Sequence, residues 1–242
     1  MLSASGSRGG KMTLPLRQLP LDLKFAPAMG RDDFMVGACN QYAVHMVEHW
    51  PAEWSPYPAL TIYGPKGSGK SHLAAVWQNF SKARSLTLEE FIACDIENLI
   101  ESKENLVLEG VEFLIGDRVQ EEKLFHLYNA FQQNGIYFLA LSTISPEKLV
   151  FEIRDLESRL RAAQSAEIKP PDDDLLTKVM AKRFFDQNLK IDQESLDYIL
   201  WRMERSWSGL DHLVEKICLT ATALQKGELT KPLLRAAMID ME

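Results

Sequence analysis

Residues 59–80 read ALTIY-GPKGSGKS-HLAAVWQNF, and the order of residue types in them is strand, glycine-rich turn, helix. Ala59 to Tyr63 is a short apolar run that suits a buried strand, and His72 to Phe80 carries helix-forming residues. Between them, Gly64, Gly69, Lys70 and Ser71 satisfy G-x-x-x-x-G-K-[ST] in the strand-to-helix setting that this motif requires. The chemistry follows from the residue types. Glycines let successive backbone N–H groups curl around an anion, and the helix N-terminus adds partial positive charge. Lys70 can reach the β- and γ-oxygens of a polyphosphate while the Ser71 hydroxyl ligates Mg²⁺. The whole loop, Gly64, Pro65, Lys66, Gly67, Ser68, Gly69, Lys70 and Ser71 with His72 just beyond it, is therefore the expected site for ADP or ATP.

Outward from this loop, further strands are expected at 85–88, 105–109 and 136–142, with helical patterns at 34–50, 89–102 and 121–133. Alternation of this kind predicts an α/β core with a parallel sheet flanked by helices. After a short strand-like run at 166–168 the composition changes at Lys169, Pro170 and Pro171. Helical patterns at 172–187, 193–204, 208–224 and 232–241 then predict a small all-α lid. The expected organisation is an N-terminal arm over 1–31, a nucleotide-binding core over 32–169 and the lid over 170–242. Residues 1–11 are small and polar and read as a flexible tail, with Met1 and Met12 both open as starts.

Hydrolysis needs an acid at a strand end to hold the metal shell, and many ATPases add a second acid to orient water. In LVLEG the first is Glu109 and Gly110 occupies the second place; in the alternative register, FLIGDR, Asp117 is followed by Arg118. Neither register supplies a carboxylate pair, so the chain's own ATPase is expected to be slow or absent, with Glu112 as a partial substitute.

With these parts assembled, the sequence resembles an AAA+ module of the DnaA-related family. DLESRL, residues 155–160, resembles the segment that carries the arginine finger, which makes Arg159 the residue that would reach a γ-phosphate held by a neighbouring subunit. ALSTISP, residues 140–146, resembles the first-sensor segment and puts Thr143 at the sensor position. LFHLYN, residues 124–129, is similar to the Hda branch, short homologues that inactivate DnaA. QLPLDL, residues 18–23, resembles that branch's motif for the DNA polymerase III sliding clamp (β subunit): Gln18 would make polar contacts, while Leu19, Leu21 and Leu23 supply apolar anchors.

The resemblance spans about residues 16–240 and implies a regulatory adaptor. Bound to clamp, it would stimulate ATP hydrolysis by DnaA, restrain replication initiation and touch DNA only through the clamp. The runner-up is an ATP-driven remodeller such as a helicase loader or transposition ATPase. DnaA follows its lid with a DNA-reading helix-turn-helix domain, and no such domain is expected in the residues to Glu242. The second-sensor arginine of DnaA falls near Ser208, with Arg205 a turn away, so preference between ADP and ATP stays open, as do a homodimer or higher oligomer.

Composition agrees with these expectations. With 27 Lys plus Arg against 34 Asp plus Glu the formal net charge is −7, which argues against duplex DNA as the main ligand. No apolar run approaches the about 18 residues of a membrane span, so a cytoplasmic protein is expected, and the resemblance implies that it is associated with the nucleoid or replisome. The three cysteines, Cys39, Cys94 and Cys218, form no metal-binding pair. His45, Glu48 and His49 spell H-x-x-E-H but lack a partner acid and read as a helix face. Phe184, Phe185, Tyr198, Trp201 and Trp207 fall at helical spacing and are expected in the lid core.

Overall fold

The computed structural model describes residues 30–238. QLPLDL, with Gln18, Leu19, Leu21 and Leu23, lies outside the described residues. In chain order the core contains α1 (Gln41–Glu48), β1 (Ala59–Tyr63), α2 (Lys70–Ser81), β2 (Arg84–Leu86), α3 (Leu88–Ala93) and α4 (Ile96–Ser102). It continues with β3 (Leu106–Glu109), α5 (Arg118–Asn134), β4 (Phe138–Ser142), α6 (Arg154–Ala162) and β5 (Gln164–Glu167). The strands form one parallel sheet in the order β2-β3-β4-β1-β5. Helices cover both faces, which is why β1, β3 and β4 read as near-continuous apolar runs instead of alternating ones. Register sets the site: Tyr63 pairs with Ser142 and Glu109 with Leu141, so the C-terminal ends of three strands converge where the loop after β1 begins.

Several expected elements shorten or divide for identifiable reasons. The helix expected at 34–50 is formed only over α1, because Asn40 Oδ1 accepts from Gly37 N and its Nδ2 donates to Met35 O, holding 35–40 in a turn. The strand expected at 85–88 ends at Leu86, since Thr87 and Glu90 form a capping box that starts α3. The helix expected over 89–102 breaks at Asp95, whose carboxylate caps α4 through Glu97 N. Asp117, offered as a strand-end acid, instead N-caps α5 by accepting from Val119 N and Gln120 N, so Glu109 in β3 is the strand-end acid.

Behind the phosphate loop, Trp77 of α2 stacks on Trp54 at a centroid distance of 5.1 Å, and Trp54 Nε1 donates to Met46 O. This contact joins α1 to the helix that opens the site. A second tie is carried by Glu121, which is fully buried in α5. Its carboxylate accepts from Gly116 N at 2.7 Å, Glu152 N at 3.0 Å and Ile153 N at 2.7 Å, fastening the segment after β3 to the entry of α6. Glu121→Ala strands these donors, and we expect it to cost about 2–4 kcal/mol in denaturant unfolding, with Glu121→Gln losing about half as much because one acceptor oxygen remains.

Beyond β5 come α7 (Asp173–Asp186), α8 (Gln193–Leu200), α9 (Trp207–Ala223) and α10 (Lys231–Met238). They pack around their own apolar centre, which includes Leu176, Met180, Phe184, Ile199, Leu213 and Ile217. Of the aromatic set expected there, Phe184 and Trp207 are buried and Tyr198 is partly so, whereas Phe185 is 78% and Trp201 80% exposed. Those two sit one position off the apolar stripe, where helical spacing turns them outward. The lid meets the core through Trp207 Nε1, which donates to Lys169 O, and through an ion pair from Lys182 to Asp33 at 2.9 Å. Among the described residues no helix is long and apolar enough to cross a membrane.

Candidate functional site

A cleft of about 710 Å³ opens at the C-terminal edge of the sheet, between the loop after β1 and the lid. This is within the size range of small-molecule sites. Its floor is made by Lys66, Gly67, Ser68, Gly69, Lys70 and Ser71. Gly69 adopts φ +88° as the residue before α2, a left-handed conformation that a side chain would strain, and it lets the first N–H groups of α2 face the cleft. Gly64 and Pro65 do not line the cleft themselves. Their carbonyls accept from Lys70 Nζ at 2.8 and 2.9 Å, which holds the ammonium along the loop. Burial pushes the Lys70 pKa down, and the Glu112 and Glu109 carboxylates oppose that shift.

The expected strand-end acid and sensor are both brought here. Glu109 lines the cleft from the end of β3, and Thr143 lines it from just past β4. Thr143 N and Oγ1 both donate to Glu112 Oε1, at 2.9 and 2.7 Å. Glu112 is only 8% exposed, and its Oε2 has no protein partner among the described residues; the buried Ser68 Oγ also lacks one. Both residues line the glycine-rich cleft; the Ser68 hydroxyl can donate to a phosphate oxygen, whereas the Glu112 carboxylate oxygen, an acceptor, suits a donor such as water. Gly110 follows Glu109 in the chain, and the next acidic residue, Glu112, lines the same cleft.

For a metal, the expected donors, the Ser71 hydroxyl and the Glu109 carboxylate, belong to residues that line the cleft. Among the described residues no group of three or more His, Cys, Asp or Glu side chains gathers to hold an ion. Mg²⁺ therefore fits here only together with phosphate oxygens, which would complete its octahedral shell. The H-x-x-E-H string is no exception. His49 Nδ1 contacts the His45 carbonyl, and His45 lies 3.8 Å from Glu53, a helix-face arrangement.

The sequence reading missed the other end of the cleft. Asp33, Phe34, Met35 and Asn40 line it, brought there by the turn that replaces the expected helix. His72 serves this segment: its Nε2 donates to Gly30 O at 3.0 Å and its ring meets Phe34 edge-on at 5.2 Å. An apolar ring and backbone polar groups at this end suit a flat heterocycle, while the loop end suits phosphates. Gly37 preceding a buried Asn was the only signal in the sequence for the turn. The lid contributes Val179, Lys182, Arg183 and Asp186 from α7. Ser208 and Arg205 do not line the cleft: Ser208 Oγ contacts Ser206 Oγ, and Arg205 pairs with Asp173.

Arg159 does not line the cleft either. It projects from α6 onto α5, with its guanidinium 5.3 Å from the Phe125 ring centroid and 5.6 Å from that of Tyr128. Its Nη1 donates to Gln132 Oε1 at 3.0 Å. Burial pushes the Tyr128 phenol up to about 12, a shift that the neighbouring guanidinium opposes. The two segments singled out in sequence as DLESRL and LFHLYN are thus in contact on one face.

A sequence profile for the bacterial DnaA ATPase domain matches residues 26–168, more than half of the chain. The chain belongs to the DnaA ATPase-domain family. Chromosomal replication initiator protein DnaA of Thermotoga maritima is 27% identical over 188 residues, covering 69% of this DnaA-family chain and 42% of the relative. The chain therefore spans less than half the length of that curated relative. In structure it is similar to domain III of T. maritima DnaA, with a TM-score of 0.74 at 24% identity, covering 89% of this chain and 98% of that one. It is also similar to AMPPCP-bound DnaA from Aquifex aeolicus, with a TM-score of 0.67 at 24% identity over 82% of this chain and 67% of the other. These likenesses establish the AAA+ fold of a DnaA-family core, a parallel sheet flanked by helices with a helical C-terminal part.

Proposed function

We propose that this DnaA-family chain is a regulatory adaptor of the Hda type, cytoplasmic and acting at the replisome. It holds ADP or ATP with Mg²⁺ in the cleft, binds the DNA-loaded sliding clamp through Gln18 to Leu23, and accelerates ATP hydrolysis by DnaA. Nucleotide binding is supported by the glycine-built loop with its orphan Ser68 hydroxyl, and by the AMPPCP held by the Aquifex DnaA. The observation that carries the adaptor reading is the placement of Arg159. Its guanidinium is held on α5 by two aromatic rings and Gln132, outside the chain's own cleft, so its charge is available to a site on another subunit. Gly110 beside Glu109 points the same way, because a chain without the second acid is better suited to completing a partner's catalytic site than to turning over its own.

The test mixes the purified chain with DNA-loaded clamp and ATP-DnaA and follows release of phosphate. Hydrolysis that accelerates only when clamp and chain are both present is the expected result. The same low rate with and without the chain would refute the adaptor reading.

A remodeller with its own turnover is the second reading, and Glu112 favours it. That buried carboxylate bonds to Thr143 and belongs to a residue that lines the cleft, so a small shift would let it orient water in place of the residue missing at 110. Single-turnover hydrolysis by the chain alone separates the two: a rate in the range of about 1 s⁻¹ or more belongs to a working ATPase, and loss of that rate in Glu112→Gln would assign it to this carboxylate.

A further inference from the structure

The first turn of α2 serves both ends of the cleft. Lys70 and Ser71 belong to the phosphate loop, and His72, the next residue, reaches back to the opposite wall. The Gly30 carbonyl accepts twice there: from Asp33 N at 3.2 Å, which closes the tight turn over Arg31–Asp33, and from His72 Nε2 at 3.0 Å. The Phe34 ring, only 7% exposed, meets His72 edge-on and lies over Gly69, where an added Cβ would come within 3.1 Å of it. Segment 30–34 has two further side-chain ties, Arg31 to Glu48 of α1 and Asp33 to Lys182 of the lid. Both are ion pairs between partly exposed groups, the kind that contributes little to holding a backbone in place. The half-buried bond from His72 is the tie that fixes this wall relative to the helix carrying the phosphate loop.

We propose that His72 is a positioning residue for the nucleobase. By donating to the Gly30 carbonyl and bracing Phe34, it holds segment 30–34 as a ready-made wall for the heterocycle, so that this wall need not be ordered when the ligand arrives. Its contribution therefore falls on the base end of the ligand and not on the phosphates, although its neighbours in the chain, Lys70 and Ser71, belong to the phosphate loop. This inference rests on the reading of the cleft as a nucleotide site and not on the clamp or on DnaA.

The experiment uses the full chain alone and compares ADP with inorganic pyrophosphate, which carries two phosphates and no base, both measured by displacement of a fluorescent ADP analogue. His72→Ala should lower ADP affinity by about tenfold, the upper worth of one hydrogen bond, and leave pyrophosphate affinity unchanged. Two further variants separate positioning from a general loss of packing. The Gln side chain carries an amide N–H about as far from the backbone as imidazole Nε2, so His72→Gln should recover most of the ADP affinity. The Asn amide stops short of Gly30, so His72→Asn should be as weak as His72→Ala. Parallel loss of pyrophosphate affinity would put His72 with the phosphates and overturn the proposal. So would unchanged ADP affinity in His72→Ala, or equal ADP affinities in the Gln and Asn variants. If His72→Ala does not fold, or pyrophosphate displaces nothing from wild type, the Gln and Asn comparison on ADP decides by itself. A wild-type chain that binds neither the analogue nor ADP would overturn the nucleotide reading, a result distinct from any difference among the variants.

Discussion

Lys70→Ala should weaken nucleotide binding by roughly 100-fold, the loss expected when a charge-assisted contact to phosphate disappears from a partly buried site. The ammonium lies along the loop on the Gly64 and Pro65 carbonyls, within electrostatic reach of Glu109 and Glu112. Removing it leaves those carboxylates facing an incoming polyphosphate without the cation that offsets them. Lys70→Arg should not restore binding fully, because a planar guanidinium cannot replace a compact ammonium that donates to two carbonyls of the loop. Isothermal titration measures the affinity. Thermal denaturation gives a second readout, since wild type at 100 times its Kd gains about 2.7 kcal/mol from the ligand and the variant should gain far less at the same concentration. Unchanged affinity in Lys70→Ala, with the fold intact by circular dichroism, would remove the loop from the site.

The phosphate half of this site was legible because each requirement is local. Strand, glycines, lysine and helix start follow one another within residues 59–80, and their spacing alone orients them. Glu109 was legible for a related reason: the ends of parallel strands fall at one edge, so the end of β3 meets the loop after β1, whereas Thr143 was reached through the resemblance of 140–146 to the family's first-sensor segment. The other half depends on contacts between distant parts of the chain. The turn at 35–40 is set by one buried Asn bonding to Gly37 and Met35, a side-chain preference that the helical spacing of Val36, Cys39 and Ala43 conceals. Helix α6 went unread for the opposite reason. RDLESRLRA is short, rich in charge and buries only Leu156 and Leu160, so its apolar pattern is too thin to declare a helix. That Lys182 and Arg183 both line the cleft was also beyond periodicity, as were the different carboxylates that the folded chain offers them.

Arg159→Ala is expected to have the largest effect of all, and to have it on another protein. An arginine finger supplied in trans stabilises charge on a transferring phosphoryl group and is worth about 10³–10⁵ in rate. In the mixed assay with clamp and ATP-DnaA, the variant should therefore reduce stimulated hydrolysis to the level of DnaA alone. Its own fold and nucleotide affinity should change little. Arg159 lies outside the cleft, and its contacts with Phe125, Tyr128 and Gln132 amount to about 1 kcal/mol of cation–π and hydrogen-bond energy at an exposed site. Arg159→Lys keeps the charge but loses the planar fork, so stimulation should stay low, which separates transition-state geometry from simple electrostatic attraction between the subunits. Gln132→Ala frees the guanidinium from this side-chain acceptor and should leave stimulation near wild type, because in the proposed role a phosphate takes the place of that bond. Normal stimulation by Arg159→Ala would mean that the guanidinium on α5 is only a surface contact and that the acceleration, if present, comes from elsewhere on the chain.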